Sequence, residues 1–210
     1  MVGTCPYPVC LESSVKIDPV LGCTPLTQTG LILLAPKRLM DGRGYFCETY
    51  VKSRFAAAGI TADFVQDNES VSAADTIRGL HYQAPPKAQA KLIRVVRGAI
   101  YDVALDLRTG SRSYGRWTAV TLSAAGGEQL FLPRGFAHGF CTLEPDTHVI
   151  YKVDEYYSKA DEGGIVWNDP DLAIPWPVPA AQAVVSDKDK QLPRLRDVVS
   201  PFRYSDPQPG

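Results

Sequence analysis

The stretch TIRGLHYQAPPKAQAKLIRVVRGAIYDVALDLR, residues 76 to 108, holds a single histidine, His81, between Leu80 and Tyr82, and the whole chain has only three. Three chemistries are open to His81: a satisfied core imidazole, a metal ligand, or a base, because an imidazole titrates near neutral pH and passes protons readily. A transition-metal site needs three or four protein ligands. His81 and His138 alone do not supply that set: residues 81–83 read His-Tyr-Gln rather than His-x-His, and no glutamate occurs between Ser70 and Gly127. Five cysteines, Cys5, Cys10, Cys23, Cys47 and Cys141, include no C-x-x-C pair. Cys5, Cys10 and Cys23 could in principle share a metal, but reduced thiols are the preferred reading. No metal and no other cofactor is expected.

These side chains have to be held by a scaffold, and the chain offers strands for it. From Tyr101 the pattern alternates, with Tyr101, Val103, Leu105 and Leu107 apolar and Asp102, Ala104 and Asp106 between them. A period of two predicts a half-buried strand. RWTAVTLSAAGG repeats the pattern and ends at a Gly126–Gly127 turn, and QLFLPRGFAHGFCTL and THVIYKVDEYY follow closely. In the last of these Val149, Tyr151 and Val153 share a face. ETYVKSRFAAAG is the best helix candidate in the first half, closed by Gly59 in the C-cap position. Many short strands with tight turns predict an all-β antiparallel sandwich or barrel.

At 210 residues the chain is long enough for one domain with a sizeable core. Residues 1–25 show no clear period and read as an N-terminal extension, residues 26–200 as the domain, and 201–210 as a fraying polar tail. Lys and Arg number 22 against 23 acids, scattered along the chain, so nucleic-acid binding has no electrostatic support. No stretch is apolar enough to span a bilayer, and the N-terminus lacks the basic start and apolar block of a secretory signal. A soluble, cytoplasmic protein is expected.

GEQLFLPRGFAHGF fits the second cupin signature, with Gly127, Pro133, Gly135 and His138 at its spacing, and RGLHYQ and GAIYDV occupy the place of the first. A wider set of motifs runs in order from about Leu26 to about Leu195: DGRGYFCETY, FVQDNES, IRGLHYQAPP, AKLIRVVRGAIYDVALDLR, LFLPRGFAHGF, IYKVDEYYS, GGIVWNDPDLAIPWP and SDKD. With these motifs the chain resembles the dTDP-4-dehydrorhamnose 3,5-epimerases, metal-free cupins of nucleotide-sugar metabolism. Tyr82 stands where similar enzymes often have Phe.

The resemblance implies a cupin jelly roll with a few short helices, a homodimer whose N-terminal strands cross to the partner, and a dTDP-4-keto-6-deoxy sugar as substrate. Such enzymes remove protons from carbons 3 and 5, both beside the ketone, and return them from the other face. That chemistry needs a base, an acid across the ring and an electrophile at the ketone oxygen. By resemblance His81 is the base, Asp189 its orienting carboxylate, Tyr151 the proton donor and Lys91 the cation near the ketone oxygen. Arg43, Glu48, Gln66, Asp67, Asn68 and Arg78 match positions that hold the dTDP portion, with guanidinium forks suited to a diphosphate. Tyr157 matches a tyrosine that stacks on thymine, and His138, Glu162 and Lys188 match further binding positions. Read singly, each has a plainer role, as a core side chain or a solvated charge. The expected product is dTDP-4-dehydro-L-rhamnose. Two rivals stand beside it: an epimerase of one carbon only, and a non-catalytic sugar-nucleotide-binding cupin, which would be expected to lack the base or its carboxylate.

Overall fold

The computed structural model describes residues 20–26 and 30–204. Its elements in chain order are β1 (Leu21–Pro25), β2 (Ile32–Pro36), β3 (Leu39–Asp41), β4 (Gly44–Phe46), α1 (Lys52–Ala57), β5 (Gln66–Ser72), β6 (Thr76–Gln83), β7 (Lys91–Arg97), β8 (Ala99–Asp106) and β9 (Arg108–Thr109). They continue with β10 (Trp117–Ser123), β11 (Gln129–Leu132), β12 (Phe136–Thr142), β13 (Thr147–Val153), β14 (Glu162–Gly164), β15 (Val184–Val185), α2 (Asp187–Lys190) and β16 (Phe202–Arg203). One sheet runs β1-β2-β11-β7-β13-β5 and is antiparallel throughout. The other runs β10-β8-β12-β6-β14, with β15 added in parallel to β6. The two sheets form a jelly roll.

Alternation along the strands decides what lies between the sheets. Ile93 and Val95 from β7 and Val149 from β13 meet Ile100 and Ala104 from β8 and Phe136 and Phe140 from β12 in the largest buried cluster. Each such side chain contributes roughly 1.5–3 kcal/mol by leaving water. The same strands carry Lys91, Tyr151 and His138 in phase with these apolar residues, so the inward face that makes the core also delivers polar groups to one end of it.

Four expectations are modified. The strand from Tyr101 is buried on both faces rather than half-buried. Its apolar outer face (Val103 and Leu105) is covered by Ile165, Leu172 and Phe202 from the C-terminal segment, and Asp102 and Asp106 on the inner face are fully buried. The helix is six residues long rather than the twelve of ETYVKSRFAAAG, since Glu48–Val51 stay extended or irregular. Its end is the expected one: Gly59 takes φ +86°, its N–H reaches Ala56 O at 3.0 Å, and Ile60 N–H reaches Phe55 O at 2.9 Å, a Schellman motif closed by contact of Ile60 with Phe55. The N-terminal extension assigned to residues 1–25 ends in β1, paired with β2; residues 1–19, with Cys5 and Cys10, lie outside the described residues. The tail assigned to 201–210 begins with ordered packing, because Phe202 is 6% exposed and β16 pairs with β9; residues 205–210 lie outside the described residues.

Candidate active site

A cleft of about 630 Å³ opens between the sheets, lined by His81, Arg78, Lys91, His138, Tyr151, Lys188 and Asp189 among others. His81 and Arg78 come from β6, His138 from β12, Lys91 from β7, Tyr151 from β13, and Lys188 and Asp189 from α2. His81 and His138 are paired across β6 and β12. Lys91 and Tyr151 belong to the facing sheet, on diagonal positions of β7 and β13, where Tyr151 pairs with Ile93 and Val153 with Lys91.

His81 Nε2 lies 2.8 Å from Asp189 Oδ1. The other carboxylate oxygen of Asp189 accepts the Gly79 N–H at 3.0 Å. Ser186 caps α2 by accepting the Asp189 N–H at 3.1 Å, which fixes the backbone that carries the carboxylate. Burial pushes the Asp189 carboxyl upward, but the hydrogen bonds from His81 and Gly79 outweigh it and hold the group below the usual carboxylate range. With Nε2 donating to a carboxylate, Nδ1 of His81 is left as the basic nitrogen.

Gly79 makes this approach of strands possible. Its φ is +117°, and a Cβ there would stand 2.6 Å from the Gly139 Cα and from the His138 carbonyl oxygen. Only glycine accepts that conformation and that contact.

Lys91 is buried, and burial lowers its pKa to about 8 against the opposing pull of the Asp102 and Glu162 carboxylates. Burial raises the Tyr151 phenol above its ordinary value, with Arg78 pulling the other way. Tyr151 therefore holds its proton, while Lys91 is a cation that begins to lose its own near pH 8. Arg78 is aimed by Ser72 Oγ, which accepts from Nε at 3.0 Å.

A second group lies outside the lining and is tied to the cleft through Lys188. Lys188 Nζ donates to Glu162 Oε1 at 2.5 Å, and the Tyr157 hydroxyl donates to Glu162 Oε2 at 3.2 Å. Burial raises Glu162, but its partners, Lys188 first, keep it below the ordinary value. Gln66 donates to Asn68 Oδ1 at 2.8 Å and accepts the Tyr157 N–H at 3.1 Å. Asn68 is the cross-strand partner of Tyr151.

Three of the residues expected at the nucleotide are not brought to this cleft. Asp67 points to the other face of β5 and is held by Lys152 at 2.9 Å, since alternation separates it from Gln66 and Asn68. Arg43 sits on the β3–β4 hairpin with 92% of its side chain exposed, paired with Asp41 at 2.6 Å. Glu48, just beyond that hairpin, pairs with Arg54 at 2.5 Å.

Sequence reading missed two residues. Asp102 is fully buried and its Oδ2 lies 2.9 Å from His138 Nε2. An acid inside an otherwise apolar strand is the available signal, but a half-buried strand would turn it to solvent. Gln83 is buried and fastens the loop that bears Tyr157: its Nε2 donates to the Lys87 and Tyr156 carbonyls at 2.7 and 3.2 Å, and its Oε1 accepts the Ser158 N–H at 2.7 Å. Among the described residues no three His, Cys, Asp or Glu side chains gather as a metal-holding group.

A jelly roll whose cleft sets a His–Asp pair, carried by β6 and α2, against a buried lysine and a partly buried tyrosine of the facing sheet is a cupin with proton-transfer groups on both sides of one cavity. The family described as dTDP-4-dehydrorhamnose 3,5-epimerase matches residues 25–197, and the chain belongs to it. It is 45% identical over 173 residues to the dTDP-4-dehydrorhamnose 3,5-epimerase of Sinorhizobium fredii, covering 82% of this chain and 88% of that one. The Bacillus anthracis enzyme of the same name, crystallised with TDP and PPi bound, is 51% identical with a TM-score of 0.81, over 83% of this chain and 99% of the other. The crystal structure of dTDP-6-deoxy-D-glucose-3,5-epimerase from Legionella pneumophila, in complex with dTDP-4-keto-L-rhamnose, is 38% identical with a TM-score of 0.83, over 88% of this chain and 99% of that one.

Proposed function

We propose that this chain inverts carbons 3 and 5 of dTDP-4-dehydro-6-deoxy-D-glucose to give dTDP-4-dehydro-L-rhamnose. The observation that carries this reading is the His81–Asp189 pair, from β6 and α2, facing Lys91 and Tyr151 of the other sheet across a single cleft. His81 Nδ1 takes the proton from the carbon beside the ketone. The electron pair left on that carbon moves into the carbonyl, and the enolate oxygen is stabilised by the Lys91 ammonium. Asp189 stabilises the imidazolium that results. Tyr151 delivers its proton to the carbon from the opposite side, so the configuration inverts. The imidazolium and the tyrosinate are then reset by exchange with solvent, ready for the second carbon.

Arg78 and Lys188 supply charge for the diphosphate, and Tyr157, 57% exposed at the rim, supplies a face for the base. The protein works as a homodimer. Leu39, Met40, Tyr45 and Phe46 crowd the β3–β4 hairpin with half or more of each side chain exposed, an apolar arm suited to a second copy. The cytoplasm fits the reduced thiols of Cys47 and Cys141, and no helix among the described residues is long and apolar enough to cross a membrane.

The test is NMR of the 4-keto sugar nucleotide with enzyme in deuterated water. Deuterium at both carbons with inverted configuration is the expected result. Exchange and inversion at one carbon only would transfer the chain to the single-carbon epimerases, and no exchange at all would remove the enzymatic reading.

A further inference from the structure

His138 in the cleft wall forms, with Asp102 buried behind it, a second His–Asp pair that the proton transfers above do not use. His138 Nε2 and Asp102 Oδ2 are 2.9 Å apart, and both side chains are buried. Burying an acid in the middle of β8 costs stability unless every lone pair is satisfied. Asp102 is not fully satisfied: its Oδ1 is buried with no hydrogen-bond partner among the described residues. The neighbouring carboxylates are engaged elsewhere. Asp189 is taken by His81 and the Gly79 N–H, Glu162 by Lys188 and Tyr157, and Glu69 from β5 by His148 at 3.3 Å. The titratable and cationic groups facing the same space are Arg78 and His81 on β6, His138 on β12, Tyr151 on β13 and Lys188 on α2. Of the acids around Lys91, Asp102 thus has a buried oxygen left over, and its negative charge is the largest influence opposing the loss of the Lys91 proton.

We infer that Asp102 is a positioning residue for the ketone end of the site, fixing His138 in its Nε2–H tautomer and holding Lys91 in its cationic form. This rests on the reading of Lys91 as the cation at the ketone oxygen. The arrangement gives two parallel devices: Asp189 tunes the base on β6, and Asp102 tunes the electrophile that faces it.

The experiment follows deuterium exchange against pH in the unmutated enzyme, in Asp102→Asn and in Lys91→Met. In the unmutated enzyme the rate falls on the alkaline side as Lys91 deprotonates near pH 8. Removing the Asp102 charge makes the ammonium harder to keep, so in Asp102→Asn this limb moves to lower pH. The maximal rate falls roughly a hundredfold, the size of effect expected from misplacing a catalytic group by about 1 Å. Affinity for dTDP stays within about twofold, because the groups proposed for the nucleotide lie elsewhere. An alkaline limb that stays in place in Asp102→Asn while Lys91→Met removes it would overturn the inference and leave the epimerase reading standing. An unmutated enzyme without exchange would instead remove the reading beneath it. If Asp102→Asn does not fold, the ring nitrogen shifts of His138 in the unmutated protein decide: an Nε2–H tautomer supports the inference and an Nδ1–H tautomer refutes it.

Discussion

His81 and Tyr151 reach the cleft from different sheets, and that separation determines what each substitution should do. A base acting alone can only take a proton and return it to the same face. His81→Ala should therefore reduce deuterium incorporation by roughly a hundredfold to ten-thousandfold, the usual contribution of a general base. Tyr151→Phe keeps the ring packed and removes the hydroxyl, so exchange should persist in part while inversion is lost. Asp189→Asn should slow both. Native-rate inversion by Tyr151→Phe, read by NMR of the product, would contradict this assignment. Lys91 gives a prediction of another kind. Its folded pKa is about 8, below the roughly 10.4 of an unfolded lysine, so carrying the charge in the fold destabilises the protein below pH 8 and ceases to do so as pH approaches the unfolded value. Lys91→Met should raise thermal stability at pH 7, by an amount on the order of 3 kcal/mol, and the gain should vanish between about pH 8 and pH 10.5. Denaturation curves across that range check it, and a loss of stability at pH 7 would refute it.

At the scale of elements, the site depends on how β6, β12 and α2 are brought together. Gly79 leaves no room for a side chain beside Gly139 and His138, so Gly79→Ala should cost well over 1 kcal/mol through both strain and the clash. It should also disturb the N–H that Asp189 accepts. Ser186→Ala is the milder counterpart: loss of the α2 cap should cost about 1 kcal/mol and lower kcat more than affinity for dTDP, because the cap aims Asp189 and not the nucleotide. Equal effects on both quantities would argue against that role. These elements also show what was legible in the sequence. Periods of two located the strands, and the phase of Val149, Tyr151 and Val153 correctly put the tyrosine with the apolar face. Gly59 correctly marked the end of α1. Alternation alone misplaced Asp102, because a strand covered on both sides has no solvent face for its acids, and the covering segment comes from residues 165–202, remote in sequence. The His81–Asp189 contact spans 108 positions, and no local pattern reports such a pairing; it came from the resemblance of whole motifs. The separation of Asp67 from Gln66 and Asn68 was readable from the pleat, and matching residues to motifs passed over it.

For the molecule as a whole, the open question is why Arg43 and Glu48 lie away from the cleft of their own chain. Arg43 tops a hairpin whose Leu39, Met40, Tyr45 and Phe46 are exposed, an apolar surface that a lone chain would present to water. In a twofold dimer whatever one copy gives to its partner it also receives, so a hairpin that crosses would carry Arg43 and Glu48 to the partner's nucleotide pocket. Sedimentation should then show a dimer at micromolar concentration, and Met40→Asp with Phe46→Asp should shift it toward monomer and weaken dTDP binding together. Mixing two defective variants tests the crossing directly. An Arg43→Ala homodimer should have a raised KM, and a His81→Ala homodimer should be inactive. In a heterodimer of the two, the cleft of the Arg43→Ala chain keeps its own His81 and receives an intact Arg43 from the His81→Ala chain. That one site should regain the unmutated KM at half the unmutated kcat per dimer. If Arg43 served its own chain, the same heterodimer would keep the raised KM, and the crossing hairpin would be excluded.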